Sequence, residues 1–382
     1  MIPYSRQLVT KEESLQINKV LLSKYLTQGP MVPKFEKGIS QYCGSKFSVA
    51  VNSGTSALHI ACLALKIKKN DIVWTSAISF VASANCGAYC GAKIEFLDID
   101  LSTFNISVNF LEKKLITAKK RGGLPKAIIL VHLGGLTCNM QDINRLKKKY
   151  KFKIIEDASH AIGSKFFNNK VGSCKFSDVT VFSFHPVKTI TSCEGGIATT
   201  NSKKIYAYLK LFREHGISRQ NKKKFKNKSP KYYEQVELGF NYRMNEVEGA
   251  LGILQLKKLD KWVKYKNLLA KRYDHALKDL PLHFQRVPKN YYSSYHLYII
   301  LLKNNNKKDR DNLLKTLTNK GIGCNIHYMP IYRHPFYKKK DSIKNFPSSE
   351  NYYKNCISIP MYAGLSIKNQ DKVINILKKN II

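Results

Sequence analysis

Seven short apolar runs, separated by stretches with helical periodicity, limit the possible folds of this chain more than any other feature. Each run has the length and the β-branched content of a buried parallel strand. Such runs alternating with helices are typical of a mainly parallel sheet flanked by helices, so we expect an α/β fold. The runs are VAVN, DIVWTS, KIEFLDI, KAIILVHL, KFKIIEDAS, VTVFSF and GGIATTN.

The same patterns predict three parts in this chain of 382 residues, which is long enough for two hydrophobic cores. Residues 1–30 are expected to form an N-terminal arm and helix, residues 31–256 a large domain, and residues 257–382 a smaller α+β domain. In the smaller domain the run HLYIILL and the following helical pattern indicate a strand and then a helix. The polar, lysine-rich segment at residues 213–233, with residues 218–231 at its centre, is expected to be a mobile excursion.

Polar side chains follow two neighbouring apolar runs. Asp157 and His160 come after the run at residues 152–155, and Ser183 and Lys188 lie at or after the end of the run at residues 179–184. Ligands of α/β sheets bind beyond the carboxyl ends of the strands, so these side chains are expected to meet in one pocket.

An anion site is predicted upstream, where Ser53, Gly54, Thr55 and Ser56 precede an apolar helical pattern. The backbone N–H groups and the dipole of a helix N-terminus favour a phosphate. A lysine that can form a Schiff base, a carboxylate for a pyridine nitrogen and a phosphate cradle together fit pyridoxal phosphate. Each signal alone is weak, because such a turn is most often only a helix cap; the order of the motifs carries the prediction.

Composition narrows the class of protein. The formal net charge is +39, but the lysines are spread along the chain, and no zinc-finger, RNP or basic-zipper motif supports nucleic-acid binding. No apolar stretch approaches the ~18 residues of a membrane span, and no secretory signal is evident. The nine cysteines lack paired CxxC motifs, so we expect no metal site and reduced thiols in a cytoplasmic protein.

Five motifs taken together resemble those of the DegT/DnrJ/StrS sugar aminotransferases, in the same order from Tyr4 to Pro360. They are NSGTSAL, SAISFVASAN, EDASHAIGSKF, SFHPVKTITSCEGG and GFNYRMNEVEGALG. The resemblance implies the fold of type I pyridoxal-phosphate-dependent transferases, like that of aspartate aminotransferase, with a smaller C-terminal α+β domain. Some family members are dehydratases that carry histidine in place of the Schiff-base lysine, so the presence of Lys188 favours transamination.

The resemblance also assigns roles to residues of the site. Lys188 would hold the cofactor and move the proton, Asp157 would pair with the pyridinium nitrogen, and Phe80 would stack on the ring. In the family an asparagine of the neighbouring subunit completes the phosphate cradle, which matches Asn241 and implies a homodimer. The cofactor-binding residues expected on this basis are Gly54, Thr55, Ser56, Phe80, Asp157, His160, Ser183, Lys188 and Asn241.

Within the family, SKYLTQGP at residues 23–30, SFHPVKTIT and NIHYMPIY at residues 325–332 resemble transaminases of the PseC type, from pseudaminic acid biosynthesis. Such enzymes use L-glutamate to aminate C4 of a UDP-linked 4-keto-6-deoxy-N-acetylhexosamine, which gives UDP-4-amino-4,6-dideoxy-N-acetyl-β-L-altrosamine. Lys24 and His327 could meet a diphosphate. The substrate-binding residues implied are Tyr4, Lys24, Tyr25, Leu26, Thr27, Ser53, Ser183, Asn241, His327, Tyr328, Met329 and Pro330.

Two alternatives stay open. The same reaction could use another nucleotide 4-keto sugar, linked to GDP or dTDP, because stereochemistry depends on the shape of the pocket. The more distant alternative is a basic nucleic-acid-binding protein that keeps the fold without catalysis. The intact set of Asp157, Ser183 and Lys188 argues against the second alternative.

Overall fold

A computed structural model describes residues 1–218, 232–303, 307–338 and 343–381, with the side chain of Lys307 excepted. Of the excursion expected over residues 213–233, residues 219–231 lie outside this part of the chain. Among the described helices, none is both long enough and apolar enough to cross a membrane.

The secondary structure alternates between strands and helices along most of the described chain. The strands are β1 (Phe47–Val51), β2 (Ile72–Ser76), β3 (Lys93–Leu97), β4 (Ala127–Val131), β5 (Lys153–Asp157), β6 (Lys165–Phe166), β7 (Asn169–Lys170), β8 (Val179–Ser183), β9 (Gly196–Thr200), β10 (Ile217–Ser218), β11 (Glu234–Gln235), β12 (Leu282–Phe284), β13 (Tyr291–Tyr292), β14 (Tyr298–Leu302) and β15 (Cys356–Ile359). The helices are α1 (Lys11–Leu21), α2 (Met31–Cys43), α3 (Gly54–Ala64), α4 (Ala82–Tyr89), α5 (Val108–Lys120), α6 (Met140–Tyr150), α7 (Lys203–Arg213), α8 (Glu246–Leu277), α9 (Lys307–Asn319), α10 (Pro347–Asn355) and α11 (Ile367–Asn380).

A seven-stranded sheet forms the centre of the molecule, with the strand order β1-β9-β8-β5-β4-β2-β3. All seven predicted apolar runs form strands of this sheet. The neighbours from β8 to β3 pair in parallel, and only β9 runs antiparallel to both β1 and β8. The mainly parallel sheet expected from the sequence is therefore confirmed.

Both faces of the sheet are covered, and the central strand β4 shows how. Ala127 and Ile129 pack into the core on the side of α3, while Ile128 and Leu130 pack into the core on the side of α5 and α6. Successive residues of a strand point to opposite faces, so a continuous apolar run is what a strand buried on both faces requires.

The parallel arrangement brings the carboxyl ends of several strands to one edge. Asp157 at the end of β5 pairs in register with Val131 at the end of β4, and β8 lies on the other side of β5 and ends at Ser183. The polar residues that follow these strands in the sequence are therefore neighbours in space.

The long helix α8 connects two hydrophobic cores. Leu259 and Val263 pack in the core beside the central sheet, whereas Leu269 and Tyr273 pack against the antiparallel sheet β12-β14-β15. The predicted strand and helix of the smaller domain correspond to β14 and α9. The boundary predicted between residues 256 and 257 falls inside α8, and the division into domains stays a prediction.

The N-terminal arm is attached to the rest of the molecule at two places. Ile2 packs in the core beside β12-β14-β15 and forms a bridge with Ile322. Further along, α1 lies on α8, where the fully buried Glu13 accepts hydrogen bonds from Lys258 Nζ at 2.6 Å and from Gln255 Nε2 at 3.0 Å.

Close packing of α2 against α8 gives a test of this architecture. A Cβ atom on Gly249 would lie 2.9 Å from the backbone nitrogen of Val32, whereas a Cβ atom on Gly38 would meet only the movable end of Leu256, at 3.2 Å. Alanine favours a helix over glycine by about 1 kcal/mol, but overpacking costs about 1–3 kcal/mol. We expect Gly249→Ala to lower the thermal unfolding midpoint and Gly38→Ala to leave it unchanged or raise it; equal midpoints would contradict this packing.

Candidate active site

A cavity of about 690 Å³ lies at the carboxyl edge of the central sheet, and this volume is typical of small-molecule sites. Strand ends and loops of the large sheet form one wall. The N-terminal arm and residues 325–329 form another. Of the residues predicted from the sequence, the cavity is lined by Tyr4, Ser53, Gly54, Thr55, Phe80, Asp157, His160, Ser183, Lys188, His327, Tyr328 and Met329.

Asp157 is a buried carboxylate held by three donors. Its Oδ2 accepts a hydrogen bond from Ser83 Oγ at 2.6 Å. Its Oδ1 accepts from Ser159 Oγ at 2.6 Å and from the Ser159 backbone nitrogen at 3.2 Å. These bonds compensate the buried negative charge and fix the orientation of the carboxylate at the cavity wall.

Lys188 lies in the loop between β8 and β9 and lines the same cavity as Asp157. Burial lowers the pKa of Lys188 to about 8, although the negative charge of Asp157 acts in the opposite direction. Burial prevails because removing an ammonium group from water favours its neutral form. Lys188 is therefore a better nucleophile and base near neutral pH than an ordinary lysine.

The predicted anion turn is built by close approach of three backbones. Ser53 caps α3, and its Oγ accepts a hydrogen bond from the Ser56 backbone nitrogen at 3.1 Å. A Cβ atom on Gly54 would lie 2.8 Å from Ser183 Cβ, and one on Gly196 would lie 2.3 Å from the Ser53 carbonyl oxygen. Glycine at both positions is what allows the N-terminus of α3 to reach the end of β8, where it can meet an anion.

His160 and Tyr328 form a neutral pair on another wall. The Gly134 backbone nitrogen donates to His160 Nδ1 at 3.4 Å, which assigns the ring proton to Nε2, and Nε2 lies 3.1 Å from the Tyr328 hydroxyl oxygen. Burial, assisted by the charge of Lys188, holds the pKa of His160 well below its usual range. Burial also raises the pKa of Tyr328. The Tyr328 hydroxyl oxygen thus accepts a hydrogen bond from His160 Nε2, and the hydroxyl proton is available to donate a hydrogen bond to a ligand.

Phe80 and His327 also line the cavity, and each offers a different kind of contact to a ligand. The side chain of Phe80 is 57% exposed, and its ring centroid lies 6.2 Å from that of Tyr328, so one face of the ring is open to a flat ligand. Burial lowers the pKa of His327 to about 3, and its Nδ1 lies 2.8 Å from Ser358 Oγ. His327 is therefore neutral, and it can meet a diphosphate as a hydrogen-bond donor.

Some predicted site residues do not line the cavity of the described chain. Ser56 is one of them; its hydroxyl lies 2.9 Å from Ser53 Oγ, and its role stays a prediction. Pro330 begins a short 3-10 helix just beyond the cavity. The other such residues are on the exposed surface, and their roles stay predictions: Lys24, Tyr25, Leu26, Thr27 and Asn241.

The structure adds residues that the sequence did not indicate. Ser83 and Ser159 hold Asp157, and the buried His296 packs its ring 4.4 Å from that of His160. Ser159 follows Asp157 by two residues, a spacing at which a serine hydroxyl often meets an aspartate. Ser83 lies within the motif SAISFVASAN, but nothing local links it to Asp157 or marks His296, because each belongs to a different part of the chain. In the described ranges, no cluster of three or more His, Cys, Asp or Glu side chains could hold a metal ion.

The lowered pKa of Lys188 predicts its reactivity. In the ligand-free protein at pH 7.5, about a quarter of Lys188 is neutral if its pKa is about 8, against about one in a thousand for an ordinary lysine. We expect trace acetylation of Lys188, followed by mass spectrometry, to rise with pH and to level off above about pH 8–9, with exposed Lys37 as the internal reference. A rate that keeps rising tenfold per pH unit up to pH 10 would contradict this environment.

Comparison with known proteins agrees with the geometry of the site. The model of the DegT/DnrJ/EryC1/StrS aminotransferase family matches residues 7–378. The UDP-4-amino-4,6-dideoxy-N-acetyl-beta-L-altrosamine transaminase of Campylobacter jejuni is 38% identical over 384 residues, which cover 99% of this chain and 98% of that protein. Helicobacter pylori PseC, an aminotransferase involved in the biosynthesis of pseudoaminic acid, has a TM-score of 0.90 at 32% identity, covering 100% of this chain and 99% of that one. The Streptococcus pneumoniae protein Spr1654, solved in its PLP form, has a TM-score of 0.89 at 26% identity with 100% of both chains covered.

The family predicted from the motifs is confirmed: the chain belongs to the DegT/DnrJ/EryC1/StrS aminotransferase family.

Proposed function

We propose that this aminotransferase uses pyridoxal phosphate to move an amino group from L-glutamate to C4 of a UDP-linked 4-keto-6-deoxy-N-acetylhexosamine. The product would be UDP-4-amino-4,6-dideoxy-N-acetyl-β-L-altrosamine, in pseudaminic acid biosynthesis. The observation that carries the chemistry is a single cavity that holds Lys188, Asp157 and the start of α3. The names of the C. jejuni and H. pylori relatives support the sugar.

The residues of the cavity fit pyridoxal phosphate. The N-terminus of α3, with Ser183 beside it, offers donors to a phosphate, and a Cβ atom on Gly54 would close this cradle. Asp157 is a buried acceptor fixed by two serines, which suits a protonated ring nitrogen. Phe80 presents an open ring face, and Lys188 presents an amine with a pKa of about 8.

Each of these residues has a task in amino transfer. Bound pyridoxal phosphate supplies an aldehyde for the amino group and a ring that stabilises negative charge on the reacting carbon. Asp157 keeps the proton on the ring nitrogen, because a buried carboxylate favours a positive partner. Lys188 would hold the cofactor at rest, and as a free amine its Nζ would move a proton between the α-carbon of the amino donor and the C4′ carbon of the cofactor. Tyr328 can donate its hydroxyl proton to an oxygen in the cavity.

The amino-acceptor side of the cavity supports a sugar nucleotide. Tyr4 from the N-terminal arm and residues 327–329 border the cavity opposite the strand ends. Tyr4 and His327 have their rings 5.4 Å apart and together make an aromatic surface against which a base or pyranose can pack.

We also propose a homodimer in which Asn241 and residues 24–27 complete the partner's cavity. Three features support the dimer: Asn241 is exposed, residues 24–27 lie outside their own cavity, and the apolar Leu22 and Leu238 are 90% and 79% exposed. A cytoplasmic location is proposed because all nine cysteines are free thiols, as is usual in a reducing compartment.

The cofactor and the sugar can be tested in one experiment. We expect the protein loaded with pyridoxal phosphate to show a visible absorption band, L-glutamate to bleach it, and the UDP-linked keto sugar to restore it. The same measurement is made with GDP- and dTDP-linked 4-keto sugars at equal concentration. The rate constant for restoring the absorption band should be at least about tenfold lower with them, because the pocket discriminates by contacts worth about 1–3 kcal/mol. Faster restoration with either competitor would reassign the sugar.

The lysine assignment is tested with the variant Lys188→Ala. Its matched control is the separate variant Lys170→Ala, which changes a lysine outside the cavity. Borohydride treatment of the loaded protein should fix the cofactor covalently to Lys188, as mass spectrometry would show, and the Lys170 variant should behave as the unaltered protein. A reducible link that survives in Lys188→Ala would show that the lysine is wrongly assigned.

The shared site can be tested by complementation. Lys188→Ala and Asn241→Ala should each have little activity alone. In hybrid dimers, one of the two sites carries both changes and the other carries neither, so random mixing during refolding should restore about a quarter of the unaltered activity. Activity that stays at the level of the single variants would place Asn241 outside the partner's site.

A further inference from the structure

Lys266 on α8 is a buried amine whose presence needs an explanation. Its side chain is 2% exposed, and Nζ lies 2.9 Å from Thr189 Oγ1. Within the described ranges, no carboxylate lies within ion-pair distance of Lys266. A buried lysine without an acidic partner disfavours folding, so an apolar residue of similar size would suit this position better if packing alone mattered.

The partner of Lys266 is the residue that follows Lys188. Thr189 belongs to the loop between β8 and β9, and other elements hold the same loop. Ser5 Oγ of the N-terminal arm donates to the Val187 carbonyl oxygen at 2.8 Å. Gln255 Oε1 on α8 accepts from the Thr191 backbone nitrogen at 3.3 Å. Contacts to residues before and after Lys188 in the sequence therefore hold the loop in place.

A small second cavity places Lys266 relative to Lys188. Its volume is about 10 Å³, which is at the lower limit for holding a single water molecule. Lys188 and His296 line both this cavity and the larger one, whereas Lys266 and Arg6 line only the smaller. Lys266 thus lies behind Lys188, on the side away from the reacting groups. Burial lowers the pKa of Lys266 to about 7, which limits the charge held in this space near neutral pH.

We propose that Lys266 is a positioning residue for Lys188: it binds Thr189 and, with Ser5 and Gln255, holds residues 187–191 so that the Lys188 amine stays in the large cavity. This inference rests on the proposed role of Lys188. A methionine at position 266 would fill the same space but would leave the Thr189 hydroxyl without this partner. The amine is therefore retained for its hydrogen bond to the loop, at a cost in stability.

Two variants remove the contact from its two ends, and two controls keep it. Lys266→Met removes the amine and Thr189→Val removes the hydroxyl, while Thr189→Ser keeps the hydroxyl. Lys264→Met changes an exposed lysine two residues away on the same helix. The double variant Lys266→Met/Thr189→Val reports whether the two residues act together.

Amide hydrogen exchange of residues 184–193, measured without cofactor, is the first readout. We expect exchange to rise about tenfold in Lys266→Met and in Thr189→Val, and no further in the double variant, because one contact is lost in each case. Thr189→Ser and Lys264→Met should exchange as the unaltered protein does. The thermal midpoint of Lys266→Met should be unchanged or higher, since a methionine needs no buried partner.

Visible circular dichroism of the bound cofactor is the second readout, because it reports the orientation of the group held by Lys188. Lys266→Met and Thr189→Val should change this signal and lower kcat with little change in KM for either substrate. Unaltered exchange in Lys266→Met, additive effects in the double variant, or a lowered midpoint with exchange raised throughout the protein would each overturn the positioning role. A protein that binds no cofactor but shows the expected exchange would contradict the proposed function, while the loop contact would stand.

Discussion

The parallel register of β4, β5 and β8 is the constraint on which the rest of the structure depends. It places Val131, Asp157 and Ser183 at one edge, so that each loop leaving this edge enters the same cavity. A shift of one residue in the pairing of β5 would turn Asp157 from the cavity wall to the other face of the sheet. The continuous apolar character of these strands, buried on both faces, is what keeps the register.

Glycine completes the arrangement where side chains would hold the backbones apart. Gly54 and Gly196 let the N-terminus of α3, the end of β8 and the start of β9 approach within contact of one another. The predicted anion turn is thus a product of packing, and the donors that it offers are backbone groups whose identity does not depend on the side chains. This explains why the Ser-Gly-Thr-Ser and Glu-Gly-Gly motifs, distant in sequence, belong to one site.

Burial sets the electrostatic character of the cavity. It lowers the pKa of Lys188 to about 8 and of Lys266 to about 7, and it keeps His160 and His327 neutral. Asp157 is the charged group that the site stabilises, through Ser83 and Ser159. An amine whose pKa is lowered to about 8, lining the same cavity as a fixed carboxylate, is suited to proton transfer near neutral pH, and dispersed surface lysines do not alter this local balance.

The sequence by itself determined the seven strands of the central sheet, the family, and the meeting of Asp157, Ser183 and Lys188 in one cavity, because each is marked by a local pattern of apolar and polar residues. It could not indicate Ser83, His296 or Lys266, since these residues belong to other parts of the chain and no local pattern links them to Asp157, His160 or Lys188. It also assigned Ser56 to the phosphate cradle; the Ser56 hydroxyl lies 2.9 Å from Ser53 Oγ and outside the cavity lining, so that role stays a prediction. Only the tertiary structure decided which groups are buried together, and burial, through desolvation, decides which of them are charged.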